Sequence, residues 1–388
     1  MTAGAPTLPA GSLLLHIGPP KTGSTAIQQT LHESRAALAG HGVLYPGTRR
    51  RARSASSAVL GTGPAVGRER PRIEQWHALV DEIRRTDLPL VCLSHENFSR
   101  ADDDAVDRIL GDLGAERTHV VYVARRLDKV LPSHWQEHVK AWRTFSYDDY
   151  LHRMLDEPPA PRTIWPPHDV AAVVDRWVAR VGHDRMTILV ADEQDRGLVP
   201  RTFEELLGLP DGMLVPSNRR SNTSLSYTEA EAMRAVNRMA REREWTPREY
   251  WQVVQVGIVD ALGARSSADD ARIDGLPAWA FERVAERAER QVAAIEQSGV
   301  RVLGDVERLR VGALAQPVEL PPPVEAVPLD LLATMVQGTV EGSRALQRRE
   351  LREARRAEAT PAPSEALDGR RLLRLLAGRV ARRTGLRR

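Results

Sequence analysis

The chain lacks the features that build disulfide-rich, zinc-binding and membrane-spanning proteins. Cys92 is its only cysteine, so no disulfide can form within the chain, and its apolar neighbours predict a core position for it. No Cys and His residues have the spacing of a zinc site. The longest apolar run near the N-terminus, at residues 13–15, is too short for a signal sequence or a membrane span, so we expect a cytoplasmic protein.

A large excess of one charge is also missing from most of the chain. The formal net charge is +3, but residues 341–388 hold 14 Arg against 6 Asp or Glu, which leaves −5 for the rest. The basic stretch indicates a solvated arm, and a peripheral membrane contact or an assembly partner are the alternatives. Because the positive charge is confined to this end, we do not expect a nucleic-acid partner.

Short apolar runs alternate with helical patterns along most of the chain. Five runs predict strands, at residues 12–17, 42–46, 88–93, 119–124 and 186–191. Apolar periodicity predicts helices after residue 25 and at 72–85, 170–181, 228–242 and 277–297, and a short late strand follows at 301–304. This alternation predicts an α/β fold, a three-layer sandwich with a central parallel sheet of about five strands and a helical C-terminal extension.

The composition also divides the chain into three parts. Residues 1–11 are small and contain Pro and Gly, so we expect a disordered start. Residues 12–316 form the main domain, with a mobile loop expected at 47–70. Residues 317–388 are a Pro-rich linker and a basic tail, which we expect to be partly helical or disordered.

The loop after the first strand has the composition of an anion-binding site. Strand, Gly-rich loop and helix together aim loop N–H groups and the first helical turn at one ligand. The lysine precedes the second glycine by two residues, whereas nucleotide triphosphatases place Gly-Lys directly before Ser or Thr. The loop reads Gly18-Pro19-Pro20-Lys21-Thr22-Gly23-Ser24-Thr25. It resembles the 5′-phosphosulfate-binding loop of sulfotransferases that use 3′-phosphoadenosine 5′-phosphosulfate (PAPS), in particular the bacterial members of that P-loop-like family.

The resemblance implies a role for each matched residue of the loop. Lys21 would contact the bridging oxygen and the sulfuryl group, where it offsets the charge that develops as the S–O bond breaks. The 5′-phosphate would be bound by N–H groups and hydroxyls of Thr22, Gly23, Ser24 and Thr25. Fixed donors aimed at a developing charge accelerate such transfers. The resemblance further implies that residues 12–316 are a sulfotransferase domain, with PAPS as co-substrate and no metal.

A second element follows the strand predicted at residues 119–124. Arg125 and Arg126 end this strand, and Ser133 comes eight positions after Arg125. The pattern resembles the 3′-phosphate-binding element of the same family, in which Arg grips the phosphate and Ser adds a donor. Arg125 is the better match of the two arginines, and a strand-end Arg paired with surface acids is the alternative. Pro132 fits the following helix if Asp128 caps its start.

The end of the third predicted strand supplies candidates for a general base. Ligands in open α/β sheets lie beyond the carboxyl ends of the strands, and transfer to a hydroxyl or amine needs a group that takes the proton. Similar sequences in the family have a Ser-Glu pair where this chain has Ser94, His95 and Glu96. Glu96 is our first candidate and His95 the second. The alternative is that either residue only caps the next segment.

Two further polar stretches have two interpretations each. His134, His138 and Lys140 would contact an anionic acceptor or form a solvated helix face. The stretch 218–226 resembles a segment of bacterial family members, in which Arg219 or Arg220 would close over the nucleotide, but Ser226 equally fits a helix cap in a capping-box pattern.

These residues together predict a PAPS-dependent sulfotransferase. The acceptor, a carbohydrate, a glycolipid or a small natural product, would offer a hydroxyl or an amine. A P-loop ATP-dependent kinase or NTPase is the first alternative, with Asp192 as its magnesium-binding candidate. A catalytically silent nucleotide-binding protein with the same fold is the second.

Overall fold

The computed structural model describes residues 6–48, 52–63, 70–156, 164–215, 224–265 and 272–359. Within these ranges one parallel sheet forms the centre, in the strand order β2-β3-β1-β4-β5-β6. The strands are β1 Leu13–Gly18, β2 Val43–Leu44, β3 Leu90–Ser94, β4 Thr118–Ala124, β5 Met186–Val190 and β6 Arg301–Leu303. The predicted α/β fold with a parallel central sheet is confirmed, and the short late strand joins the sheet as its edge.

Helices cover both faces of the sheet and build a further helical cluster beside it. They are α1 Ser24–Glu33, α2 Arg35–Gly40, α3 Arg53–Val59, α4 Ile73–Arg84, α5 Asp103–Leu113, α6 Leu127–Lys140, α7 Tyr147–Leu155, α8 Trp165–His168, α9 Val170–Val181, α10 Leu198–Leu207, α11 Tyr227–Glu242, α12 Pro247–Tyr250, α13 Val259–Ala264, α14 Ala278–Gln297, α15 Val311–Leu314 and α16 Leu329–Ala359. A π-helix, Trp251–Ile258, joins α12 to α13, and 3-10 helices lie at Glu96–Arg100, His183–Arg185 and Val306–Leu309.

The burial of β1 explains why its sequence is a continuous apolar run. Leu13, Leu15 and Ile17 belong to the core between the sheet and helices α4, α5 and α9. Leu14 belongs to the core on the other face, with α1, α2 and α10. Successive side chains of a strand point to opposite faces, so a strand covered on both faces has no polar alternation.

The structure departs from the predicted elements in two places. The helix predicted after the loop is broken at Ser34 into α1 and α2. Part of the predicted mobile loop at 47–70 is helix α3, because Ala55 and Val59, one turn apart, are buried in the core with Phe98. Tertiary burial of two apolar residues therefore outweighs a local composition that is typical of loops.

Both ends of the described chain contact the rest of the protein. The N–H of Leu8 donates to the carbonyl of Leu206, and Leu8 packs on the core beneath α10. Helix α16 lies directly on the π-helix, where a Cβ on Gly338 would be 2.8 Å from the carbonyl oxygen of Gly257. Residues 1–5 and 360–388, which include most of the predicted basic tail, lie outside the described residues. Within the described part, no helix is long and apolar enough to cross a membrane.

Three buried histidines are expected to make the protein sensitive to acid. Burial lowers the pKa of His16 and His119 to about 4 and that of His168 to about 3. The unfolded chain binds these protons near the usual pKa of about 6.5, so folding stability is full above that pH and falls as the pH drops towards 4. At about pH 5 each histidine should cost about 2 kcal/mol of unfolding free energy.

Urea unfolding at about pH 7.5 and about pH 5 measures this loss. His119→Gln should recover about 2 kcal/mol at the lower pH. The exposed His77→Gln in α4 is the control and should recover nothing. Equal unfolding midpoints at the two pH values would contradict the prediction.

Candidate functional site

The carboxyl ends of the central strands open into one cavity of about 800 Å³. Residues that follow β1, β3, β4 and β5 line it. Among the described lining residues, the cations are Lys21, Arg53, Arg100, Arg125, Lys129, Arg196 and Arg272, and the carboxylates are Glu96, Glu137, Glu193 and Asp274. The excess of positive charge suits an anionic ligand.

The strand order gives this cavity two ends. Because β1 lies between β3 and β4, the loop after β1 stands in the middle, at the point where the strand order reverses. Arg125 and Ser133 follow β4 and form what we call the β4 end. Glu96 and Arg100 follow β3 and form the β3 end. Lys21 lies between the two ends.

Gly18 brings the middle loop against the β3 end. Its φ is +85°, and a Cβ on it would be 2.6 Å from the Cα of Glu96. Only glycine avoids this clash and adopts this φ at low cost. The backbone contact therefore fixes Glu96 directly beside the start of the loop.

The rest of the loop leads into a helix start without a cap. Gly23, with φ +94°, precedes α1, which has no side-chain cap hydrogen bond and no acidic residue in its first turn. The N-terminal N–H groups of α1 are thus suited to an anion. The hydroxyls of Thr22 and Ser24 donate to the carbonyl of Pro19 at 2.8 and 3.4 Å. Ser24 and Thr25 line the main cavity, whereas Thr22 is buried beside it and braces the loop.

A carboxylate that we did not single out from the sequence holds the loop lysine. The Nζ of Lys21 is 3.1 Å from Oε1 of Glu137, and the Nζ of Lys140 is 3.3 Å from the same oxygen. Burial would raise the pKa of Glu137, but the two ammonium groups outweigh it and lower the pKa to about 2. Burial lowers the pKa of Lys21, and Glu137 opposes that shift. Glu137 therefore fixes Lys21 at the cavity wall.

The structure separates the two arginines at the end of β4. Arg125 lines the cavity, where its Nη1 donates to the carbonyl of Lys21 at 2.7 Å and its Nε to Glu193 at 2.7 Å. Arg126 instead binds the buried Asp128, with Nε 2.7 Å from Oδ1. Asp128 does not cap α6, which begins at Leu127, so Pro132 is inside the helix rather than in its first turn.

The structure also separates the two candidate bases. Glu96 lines the cavity, and Nε2 of Gln28 donates to its Oε2 at 3.0 Å. His95 is only 1% exposed, and its Nδ1 accepts the N–H of Asn97 at 3.0 Å, so it caps the 3-10 helix that follows β3. Of the two, Glu96 has access to a ligand.

No protein-family model matches the chain, and no curated protein matches it. Among solved structures, a sulfotransferase from Alicyclobacillus acidocaldarius is similar, with a TM-score of 0.37 and 14% sequence identity. The match covers 62% of this chain and 97% of that one.

The polar residues of α6 divide between the cavity and the core. His134 lines the cavity, with its Nδ1 2.7 Å from the Tyr150 hydroxyl and its ring 4.4 Å from that of His138. Burial lowers the pKa of both histidines, so both are neutral at physiological pH. Lys140 is buried against Glu137 rather than on a solvated face.

Of the stretch 218–226, the structure describes Ser226 at the start of α11. The N–H of Glu229 donates to the Ser226 hydroxyl at 3.1 Å, and Oε2 of Glu229 accepts the N–H of Ser226 at 2.8 Å. This reciprocal pair is a capping box, so Ser226 is a helix cap. Arg219 and Arg220 lie outside the described residues.

A second, smaller cavity of about 260 Å³ adjoins the loop. It shares Gly23 and Arg125 with the main cavity and lies between α1, the end of β5 and α10. Ile27, Val199 and Pro200 give it apolar walls. Asp192, Glu193 and Asp195 also line it.

Sequence reasoning missed Arg100 as well as Glu137. Arg100 ends the 3-10 helix that begins with Glu96, and it lines the β3 end of the cavity. Ligands lie beyond strand ends, and Arg100 comes only six residues after the end of β3. Its position was therefore a signal for this site. Glu137 had a weaker signal, its three-residue spacing from Lys140 on one helix face.

Proposed function

We propose that this protein is a PAPS-dependent sulfotransferase that transfers a sulfuryl group to a hydroxyl or amine of an acceptor. The observation that carries the proposal is the position of Lys21. Its ammonium group is fixed by Glu137 in the same cavity that the uncapped start of α1, Arg125 and Ser133 line. A nucleotide with separate 5′- and 3′-phosphates needs two such anion sites on one cavity wall.

The donor set fits each part of PAPS. The start of α1, with Ser24 and Thr25, suits the 5′-phosphate, and Arg125 with Ser133 suits the 3′-phosphate. The smaller cavity, with Ile27 and its other apolar residues, suits the adenine base. When bound, PAPS would supply an activated sulfuryl group, and we propose that no metal takes part.

Two residues would act on the reacting atoms. Glu96 would accept the proton of the acceptor hydroxyl or amine as that group attacks sulfur, and would later release it to solvent. Lys21 would hold the negative charge that forms on the 5′-phosphate oxygen as its bond to sulfur breaks. The products are the sulfated acceptor and adenosine 3′,5′-bisphosphate.

The kinase alternative needs a magnesium ligand, and its candidate is Asp192, which follows β5. The Oδ2 of Asp192 is 3.3 Å from Nε of Arg308, and its Oδ1 accepts the N–H of Gln194 at 2.9 Å. Asp192 lines the smaller cavity beside the loop, but its carboxylate is engaged by Arg308 and by the N–H of Gln194. A catalytically silent protein would bind the nucleotide without transferring the sulfuryl group, so an assay of sulfuryl transfer distinguishes it from an enzyme.

Nucleotide binding tests the proposal directly. By calorimetry, adenosine 3′,5′-bisphosphate should bind more tightly than adenosine 5′-monophosphate or ATP with Mg²⁺. Arg125→Gln should weaken binding of the bisphosphate about 10- to 100-fold, the value of a hydrogen bond to a charged group. Arg180→Gln removes another arginine that is paired with carboxylates, Asp103 and Asp107, none of which lines either cavity, and should change nothing. Tighter binding of ATP with Mg²⁺ would favour a kinase instead.

A further inference from the structure

The β3 end of the cavity carries a cation with no task in the proposed transfer. Arg100 ends the 3-10 helix Glu96–Arg100 and faces the cavity beside Asn97. Among the described residues, its guanidinium has no hydrogen-bond partner and no carboxylate at ion-pair distance. Arg125, by comparison, is engaged by Glu193 and the carbonyl of Lys21. A guanidinium with five donors at a cavity wall is therefore ready for a ligand.

Apart from Glu96, the groups described around Arg100 are neutral or positively charged. The surrounding protein lowers the pKa of Arg100 by desolvation, and the carboxylate of Glu96 opposes that shift. After desolvation, Arg100 also helps to lower the pKa values of the partly buried His134 and His138 and of the buried His168, so these imidazoles stay neutral. Arg53 of α3 lines the same part of the cavity and adds positive charge.

The position of this end within the cavity points to the acceptor. The proposed nucleotide site takes up the middle loop and the β4 end, which leaves the space at Glu96 and Arg100 for the second substrate. A 3-10 helix rises about 2 Å per residue, so these two residues are roughly 8 Å apart along its axis.

We infer that the acceptor is anionic and carries a carboxylate or sulfate group, which Arg100 binds while the hydroxyl to be sulfated lies at Glu96. This inference rests on the proposed sulfotransferase function. Arg100 is then a specificity-determining residue, since its planar fork matches a carboxylate or a sulfate at two points. The side chain of Arg100 is exposed to solvent. A neutral acceptor that covers the guanidinium would displace its water without offering it a charged partner.

Binding of matched acceptors tests the inference. The protein is first saturated with adenosine 3′,5′-bisphosphate and then titrated with phenyl β-glucoside, phenyl β-glucuronide and phenyl β-glucoside 6-sulfate. The wild type should bind an acidic member about 10-fold or more tightly than the neutral one. The glucuronide and the sulfate ester show which anion is preferred. If neither acidic compound binds more tightly than the glucoside, the inference is overturned.

Substitution of Arg100 then assigns the preference to this residue. Arg100→Gln should remove the acidic preference, and Arg100→Lys, which keeps the charge without the fork, should retain part of it. Arg85→Gln, at an exposed arginine that follows α4 and pairs with its Asp81, is the control and should retain all of it. An acidic preference that survives in both Arg100 variants would show that another group binds the anion.

The affinity for adenosine 3′,5′-bisphosphate separates this inference from the proposed function. If the wild type does not bind the bisphosphate, the proposed function fails and the inference fails with it. If the wild type and Arg100→Gln bind it equally well but no acidic acceptor is preferred, only the inference is overturned.

Discussion

Replacing Lys21 with methionine is expected to reduce sulfuryl transfer at least about 100-fold. The Nζ of Lys21 is held by Glu137 at the wall of the cavity that both proposed phosphate sites line. A fixed charge contributes most where charge develops in the transition state, so its loss should lower kcat more than the affinity for the nucleotide. Methionine keeps a similar length without the charge. Initial rates with radiolabelled PAPS, over a panel of acceptors, measure the effect.

The chain offers a matched control for this variant. It has only three lysines, and two of them, Lys21 and Lys140, hold the same carboxylate. Lys140 is buried and does not line the main cavity. Lys140→Met should therefore change the rate less than about threefold, because it leaves Lys21 in place. Full activity in Lys21→Met would refute the role of Lys21, and equal losses in both variants would assign the effect to Glu137 instead.

Replacing Gly18 with alanine is expected to cost about 2–4 kcal/mol of unfolding free energy. The new Cβ would lie 2.6 Å from the Cα of Glu96, which is backbone and cannot turn away. The φ of +85° adds a cost for any residue with a side chain. Either β1 or the 3-10 helix must move, so Glu96 is displaced and transfer should fall as well. Urea unfolding and the transfer assay measure the two effects.

Gly23→Ala separates the clash from the backbone cost. Gly23 also has a positive φ, +94°, but a Cβ there would meet nothing within 4 Å. Its alanine variant should lose only about 1–2 kcal/mol, the cost of the left-handed conformation. The difference between the two variants measures the contact between β1 and Glu96. Equal losses would mean that the contact relaxes freely.

The prediction of the sheet from sequence succeeded because strands buried on both faces have a local signature. The apolar runs at β1, β3, β4 and β5 have no polar alternation, and each matches a strand of the structure. Helix α3 was missed for the opposite reason. Its sequence is polar on average, and it is helical because Ala55 and Val59 meet a core supplied by distant residues.

The candidate site was predicted in part, and the roles of its residues remain predictions. Glycines, Lys21 and strand-end polar residues are recognisable locally, and the structure brings Lys21, Glu96, Arg125 and Ser133 to one cavity. Two neighbouring residues that could both accept a proton can differ in whether they reach the cavity. His95 and Glu96 are neighbours, yet only Glu96 lines the cavity, because His95 turns inward to cap the backbone.

The sequence by itself determined the fold class, the place of the loop and the strand ends that carry the polar side chains. Those features follow from patterns within a few residues, the apolar period and the conformational freedom of glycine. Only the tertiary structure decided that Glu137 holds Lys21, that Gly18 touches Glu96 and that Arg100 faces the cavity. These contacts depend on how β1, β3 and α6 are placed relative to one another. A pattern within a few residues carries no information about the distances between elements that are far apart in the sequence.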